Sequence, residues 1–157
     1  MKTKIGVPNS QLKESADILS VLLADEMVLY IKTRKFHWNV SGQSFMELHK
    51  LFQNEYEELE EIADLVAERI NKLGSRTIGT MKEFLELTRI AETIDKYPEQ
   101  KDLIRELLDN HESIAVFIRK DIEQLSDKSK DFGTIDFITG ILEQHESISW
   151  VLRRYLY

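Results

Sequence analysis

The chain contains no cysteine, which removes disulfides, thiolate chemistry and cysteine-ligated zinc or iron–sulfur centres. That absence agrees with a reducing compartment. Only 2 prolines and 6 glycines occur in 157 residues, too little turn material for a many-turned architecture, so long helices are expected. No apolar run approaches the roughly 18 residues of a membrane span. The start, MKTKIGVPNS, lacks the apolar segment of a secretory leader, and we expect neither leader nor membrane partner. Cations are in the minority: 21 Lys and Arg stand against 28 Asp and Glu, a net charge of −7. General affinity of the whole surface for nucleic-acid backbone is therefore not expected. What remains, with 42% hydrophobic and 31% charged residues, is the balance of one soluble domain with a real core.

The apolar residues fall at helical spacing. Ser10 is placed to cap a first helix carrying Leu12, Ala16, Leu19, Leu23, Met27 and Tyr30, to about Asn39. A second helix carries Phe45, Leu48, Phe52, Leu59, Val66, Ile70 and Leu73, and Gly74 stops it. The connection that follows holds a short helix, MKEFLELT. A third long helix begins near Pro98 and carries Leu103, Leu107, Ile114, Phe117 and Ile118 to about Leu125. After a polar loop, SDKSKDFGT, Thr134 is placed to cap a fourth helix with Ile138, Ile141, Leu142, Ile148, Val151, Leu152 and Tyr155 inward. The expected fold is an all-α four-helix bundle; the connection between helices 2 and 3, with its short helix, is long enough to cross the bundle's length, so up-down-up-down topology need not follow, and the version with the long crossover is the ferritin-like four-helix bundle. Residues 1–9 are expected to be a short flexible arm and residues 10–157 the bundle domain. The strings NHESI (110–114) and QHESI (144–148) share four residues, read here as coincidence on two amphipathic helices.

The chemistry concentrates between His37 and Gly74. On the second helix His49, Gln53, Asp64 and Glu68 fall within a sector of roughly 100°. Asp64 and Glu68 are four residues apart, so both carboxylates can reach one ion. His49 cannot join them in the same chain, because the intervening helix rise is about 22 Å. If these groups make one site, a second copy of the helix must run antiparallel across a two-fold axis. His37, before the turn at Ser41-Gly42, can fold back beside His49. A solvated face explains any one of these residues; the whole constellation points to a metal. An intrasubunit di-iron core of the Glu-x-x-His kind is not expected, since Arg34, Met46, Leu108 and Leu142 stand three residues before the four histidines.

The stretch HWNVSGQSFMELHKLFQNEYEELEEIADLVAERINKLG resembles the signature of the Dps family, the DNA-protection-during-starvation mini-ferritins. The family pattern is HWN-x-x-G, then LH with its His twelve residues after the first, then D-x-x-A-E-R-I-x-x-L-G. The resemblance implies a dodecameric shell with ferroxidase sites at two-fold interfaces. His37 and His49 match the family's histidine ligands; Asp64 and Glu68 match its carboxylate ligands, given by the partner subunit. It implies a cytoplasmic enzyme that oxidises iron(II), preferably with hydrogen peroxide, and stores ferric mineral. Trp38 and Tyr56 are placed to take up stray oxidising equivalents or to pack an interface. In one departure, Gln53 stands where the family usually has Asp, which makes it a weak ligand and puts the second iron position in doubt.

The family also implies acidic pores, for which Asp127, Asp131 and Asp136 are candidates, with Phe132 in place of a frequent Asp. The run Glu55, Glu57, Glu58, Glu60 and Glu61 suits a solvated helix face or a cavity lining. DNA binding through Lys2, Lys4, Lys13, Arg153 and Arg154 is expected to be weak, and with it any nucleoid association. The alternative is a DNA-protecting shell whose iron chemistry is weakened by Gln53.

Overall fold

The computed structural model describes residues 3–157. Among these residues there are five helices and no strand: α1 (Asn9–Asn39), α2 (Phe45–Lys72), α3 (Met81–Leu87), α4 (Gln100–Lys128) and α5 (Phe132–Arg154). None is long and apolar enough to cross a membrane. Lys2 and the first residue of the expected arm lie outside the described residues.

α1 buries Leu12, Ala16, Leu19 and Leu23 as the spacing predicts, but also Ile18, Leu22, Leu29 and Phe36. Its buried surface is wide because three elements pack on it: α2 most extensively, then α3 and α4. α2 buries Leu48, Phe52, Leu59, Ile62, Val66 and Ile70 on one stripe. Phe45, expected in that stripe, is instead partly exposed, and its ring lies 5.1 Å from that of His49. Gly74 terminates α2 as expected. At φ +88° it adopts the left-handed conformation, and its N–H donates to Asn71 O at 2.9 Å.

α1 and α2 form one hairpin and α4 and α5 the other. Cross-helix contacts fix the directions. Glu14, Asp25 and Lys32 on α1 meet Gln124, Asp121 (through Arg89) and Asn110 respectively, so α1 and α4 are antiparallel. α2 and α5 are antiparallel by Tyr155–Glu47 at one end and Arg69–Thr134 at the other. α2 and α4 therefore run the same way, and the segment between them must return along the whole bundle. This is the long crossover that the connection length suggested. It is pinned midway. The Asp25 carboxylate, inaccessible to solvent, accepts from the Arg89 backbone N–H at 2.6 Å and from its Nε at 2.8 Å. The same guanidinium donates to both carboxylate oxygens of Asp121. A capping box between Thr80 and Glu83 starts α3.

The polar loop expected before the last helix is shorter than its composition suggests. α4 continues to Lys128 and α5 starts at Phe132. Lys130, at φ +51°, makes the turn, and its N–H donates to Leu125 O. The cap is Asp131, not Thr134. The Asp131 carboxylate accepts from Thr134 N–H at 3.1 Å and from the Thr134 hydroxyl at 2.7 Å. An aspartate accepts both bonds, whereas Thr134, already inside the first turn, is left to take a bond from Arg69.

Candidate metal centre

Four residues, Ser41 to Ser44 with Gly42 at φ +108°, separate the C-cap of α1 (Val40) from the start of α2. This tight turn brings the last turn of α1 against the first turns of α2, and with them His37 against His49. Their imidazoles stack with centroids 3.7 Å apart and planes inclined by 21°. Each ring is held by the other's backbone: His37 Nδ1 lies 2.7 Å from His49 O, and His49 Nδ1 lies 2.9 Å from His37 O. A carbonyl oxygen only accepts, so both Nδ1 atoms carry the proton and donate. In the neutral rings the Nε2 lone pairs are then bare, which is the tautomer a metal ligand requires. Among the described residues neither Nε2 has a hydrogen-bond partner, and neither is shut off from solvent.

The surroundings are aromatic and cationic. Tyr56 meets His37 edge-to-face at 5.2 Å, and the Arg34 guanidinium lies over the rings of Tyr56 (4.6 Å), Tyr30 (5.4 Å) and Trp38 (5.6 Å). Trp38 is 63% exposed, and Met46 and Phe45 are also open to solvent. An apolar rim therefore surrounds the histidines.

Asp64 and Glu68 share the exposed face of α2, about four turns from His49. Leu65, between them, is exposed. Asp64 lines a shallow depression of about 250 Å³ with Met27, Tyr30 and Glu60. Glu68 accepts a hydrogen bond from Lys72 at 2.8 Å, and that bond and charge hold its carboxyl below the usual range. Among the described residues no three His, Asp or Glu side chains converge so as to hold a metal ion. The paired imidazoles and the carboxylate pair thus lie apart on the subunit. Gln53 is turned along its own helix and donates its amide to Glu57 at 2.7 Å.

The three aspartates of the α4–α5 region differ in circumstance. Asp127 and Asp136 are exposed. Asp131 is buried, committed to the α5 cap and 3.6 Å from Arg69.

Sequence reasoning missed a second polar cluster. Glu55 does not belong to the solvated acidic face; it is buried, while Glu57, Glu58, Glu60 and Glu61 are exposed. With Glu26, His111 and His145 it occupies the bundle interior. The matching NHESI and QHESI strings put their histidines at one level of facing helices, and the two rings meet in the core. The available signal was position on the apolar stripe: His111 is four residues from Leu107 and three from Ile114, and His145 is four from Ile141 and three from Ile148.

The bundle with its long crossover defines a ferritin-like protein, and a ferritin-like domain model matches residues 16–157. Within that class the chain belongs to the Dps family. It is 34% identical over 145 residues to DNA protection during starvation protein 2 of Bacillus anthracis, covering 92% of this chain and 97% of the relative. An uncharacterized low temperature-induced protein of Nostoc sp. is 36% identical over 155 residues, 99% of this chain and 87% of that one. Among solved structures, the Dps protein of Vibrio cholerae O1 superposes with a TM-score of 0.91 at 30% identity, covering 100% of this chain and 98% of that one. That protein is described as a member of a broad superfamily of ferritin-like diiron-carboxylate proteins.

Proposed function

We propose that this chain is an iron(II)-oxidising, iron-storing cage subunit, active as a dodecamer with each oxidation site shared across a two-fold axis. The observation that carries the reading is the reciprocal hold of His37 and His49, which presents two bare Nε2 atoms beside exposed aromatic side chains, while no third ligand converges on them among the described residues. Such a half-site needs hard anionic ligands from elsewhere. The antiparallel second copy of α2 supplies them as the partner subunit's Asp64 and Glu68. Imidazole and carboxylate bind iron(II) as substrate, and the negative charge of the carboxylates favours the ferric product. Hydrogen peroxide is the proposed oxidant: each of two iron(II) ions gives one electron and the O–O bond accepts both. Gln53 adds no charge and, tied to Glu57, stands outside this ligand set. Asp127 and Asp136 are the proposed lining of the iron entry path.

Removing iron(II) and peroxide together protects DNA without binding it. Strong DNA binding is not expected. Lys13 is paired with Asp17, and Arg153 with Glu112, on a chain of net charge −7. A tight gel shift near physiological salt would overturn that expectation. The proposed location is the cytoplasm.

The test is anaerobic iron(II) loading followed by a peroxide pulse. The account expects fast ferric absorbance retained in a particle of about 220 kDa, twelve chains of 18.4 kDa. Oxidation no faster than the protein-free control, in an intact shell, would contradict it.

A further inference from the structure

The core cluster is a continuous hydrogen-bonded chain. Glu55 Oε1 lies 2.9 Å from His111 Nε2, His111 Nδ1 lies 2.8 Å from His145 Nδ1, and His145 Nε2 lies 2.8 Å from Glu26 Oε1. Each of the four long helices contributes one member. α1 packs on α2 and α4, and α5 on α4 and α2. The Glu26–His145 and Glu55–His111 bonds therefore span the two diagonals of the bundle, and the His–His bond joins them on its axis. Both histidines are 0% exposed, and among the described residues Oε2 of Glu26 and of Glu55 is buried with no partner.

This geometry counts protons. Each of the three contacts needs one proton and holds only one; with none, two lone pairs face each other. A fourth proton must sit on an unpartnered Oε2, where it makes no bond. The folded chain therefore holds three protons and carries a charge of −1. In the unfolded chain the same side chains hold two protons above the ordinary imidazole pKa, one per ring, and four below it, down to the carboxylate range.

We propose that Glu55, His111, His145 and Glu26 act as one proton-holding latch that couples closure of the bundle to pH, taking up one proton on folding above the ordinary imidazole pKa and releasing one below it. The titratable groups facing it are the members themselves on α1, α2, α4 and α5, and Glu58 on α2; the Thr33 hydroxyl on α1 also lies near Glu55 and acts to lower its carboxyl. Partial desolvation, then the nearby Glu55, raises the Glu58 carboxyl. Burial pushes the Glu55 carboxyl up to about 8. Burial, then His145, drives His111 well below the ordinary imidazole range. The directions at Glu55 and His111 give the hydrogen-bonded chain its polarity: Glu55 O–H donates to His111, His111 Nδ1–H donates to His145, and His145 Nε2–H donates to Glu26 Oε1.

The sign follows from the proton counts. Between about pH 8 and roughly 6.5 the folded state holds the extra proton, so this unit's contribution to the folding constant grows about tenfold for each unit the pH falls. Below roughly 6.5 the unfolded state holds the extra proton and the contribution shrinks about tenfold per unit.

Two measurements on the full-length assembled protein test the latch. The first is solid-state nitrogen-15 NMR of the histidine-labelled parent at neutral pH. The latch requires three protonated Nδ1 atoms (His37, His49 and one core histidine) and one bare Nδ1 coupled to a core partner. Two core imidazolium rings, or two core rings titrating independently in the ordinary range, would overturn it. The second compares the pH dependence of thermal unfolding in the parent and in the isosteric variant Glu26→Gln with Glu55→Gln. Two glutamines satisfy all three contacts with only the two ring protons. The variant should lose the parent's gain between about pH 8 and 6.5 and fall about a hundredfold, not tenfold, per unit below it. Coincident profiles would sink the proposal. Should the variant not fold, the NMR result on the parent decides.

Discussion

His37 and His49 are locked to each other through the backbone, each Nδ1–H donating to the other residue's carbonyl oxygen at 2.7 and 2.9 Å. Rotamer, tautomer and spacing of the pair are thus set by the α1–α2 turn before any ion arrives. Replacing either histidine by alanine removes one ligand and releases the other ring from its stack. We expect His37→Ala and His49→Ala each to slow iron(II) oxidation by at least about tenfold, since even outer partners of metal ligands are worth that much. The particle size should not change. Stopped-flow absorbance together with size-exclusion chromatography checks both halves of the expectation.

The turn itself is testable at Gly42. At φ +108° a side chain is strained, and an added Cβ would meet Gln100 Nε2 at 3.1 Å. Gly42→Ala should cost about 1–2 kcal/mol of stability, read as a lowered thermal midpoint. It should also weaken binding of cobalt(II), a spectroscopic stand-in for iron(II), because the histidines lose their register.

Glu68 offers a gain instead of a loss. Its carboxylate is tied to Lys72 at 2.8 Å, a contact that iron would have to displace at the proposed site. Such exposed pairs are weak, so Lys72→Met should tighten iron(II) binding only about twofold. The Glu68 carboxyl, held down by the Lys72 hydrogen bond and charge, should titrate higher in the variant. Calorimetric binding at neutral and mildly acidic pH reads both effects.

The crossover is held by Arg89 between Asp25 and Asp121. Arg89→Met strands the fully buried Asp25 and should destabilise the subunit by about 3 kcal/mol. Burial is already the largest influence on the Asp25 carboxyl and raises it, against the lowering by Arg89. Without Arg89 it rises further above its unfolded value, so the folded state binds a proton more readily. The deficit against the parent should therefore narrow as pH falls through the carboxylate range. Thermal midpoints of both proteins across that range check the sign.

The sequence exposed the elements that repeat. Helix spacing placed four long helices and the short one in the crossover, and the HWN, LH and D-x-x-A-E-R-I segments carry the candidate ligands His37, His49, Asp64 and Glu68. If they form one site, their separation along one helix calls for a second subunit. Polar residues whose partners lie far away in the chain were not legible. Glu26 and His145 are 119 residues apart, yet hydrogen-bonded. A glutamate on a helix reads as solvated unless its partner is known, which is why Glu55 was grouped with its exposed neighbours. The Asp131 cap was hidden for a related reason: Asp and Thr are both good caps, and only the positive φ of Lys130 moves the helix start three residues earlier.

The claim most in need of test is that each oxidation site is divided between two subunits. Co-expression of His37→Ala/His49→Ala chains with Asp64→Asn/Glu68→Gln chains addresses it directly, because neither parent variant has an intact site on its own. In mixed two-fold pairs the intact histidines of one chain face the intact carboxylates of the other. Random mixing then restores about a quarter of the sites, and peroxide-driven iron oxidation should return to about that fraction of the unmodified rate. Mixed shells as inactive as the two variants alone would contradict the shared site and with it the proposed chemistry.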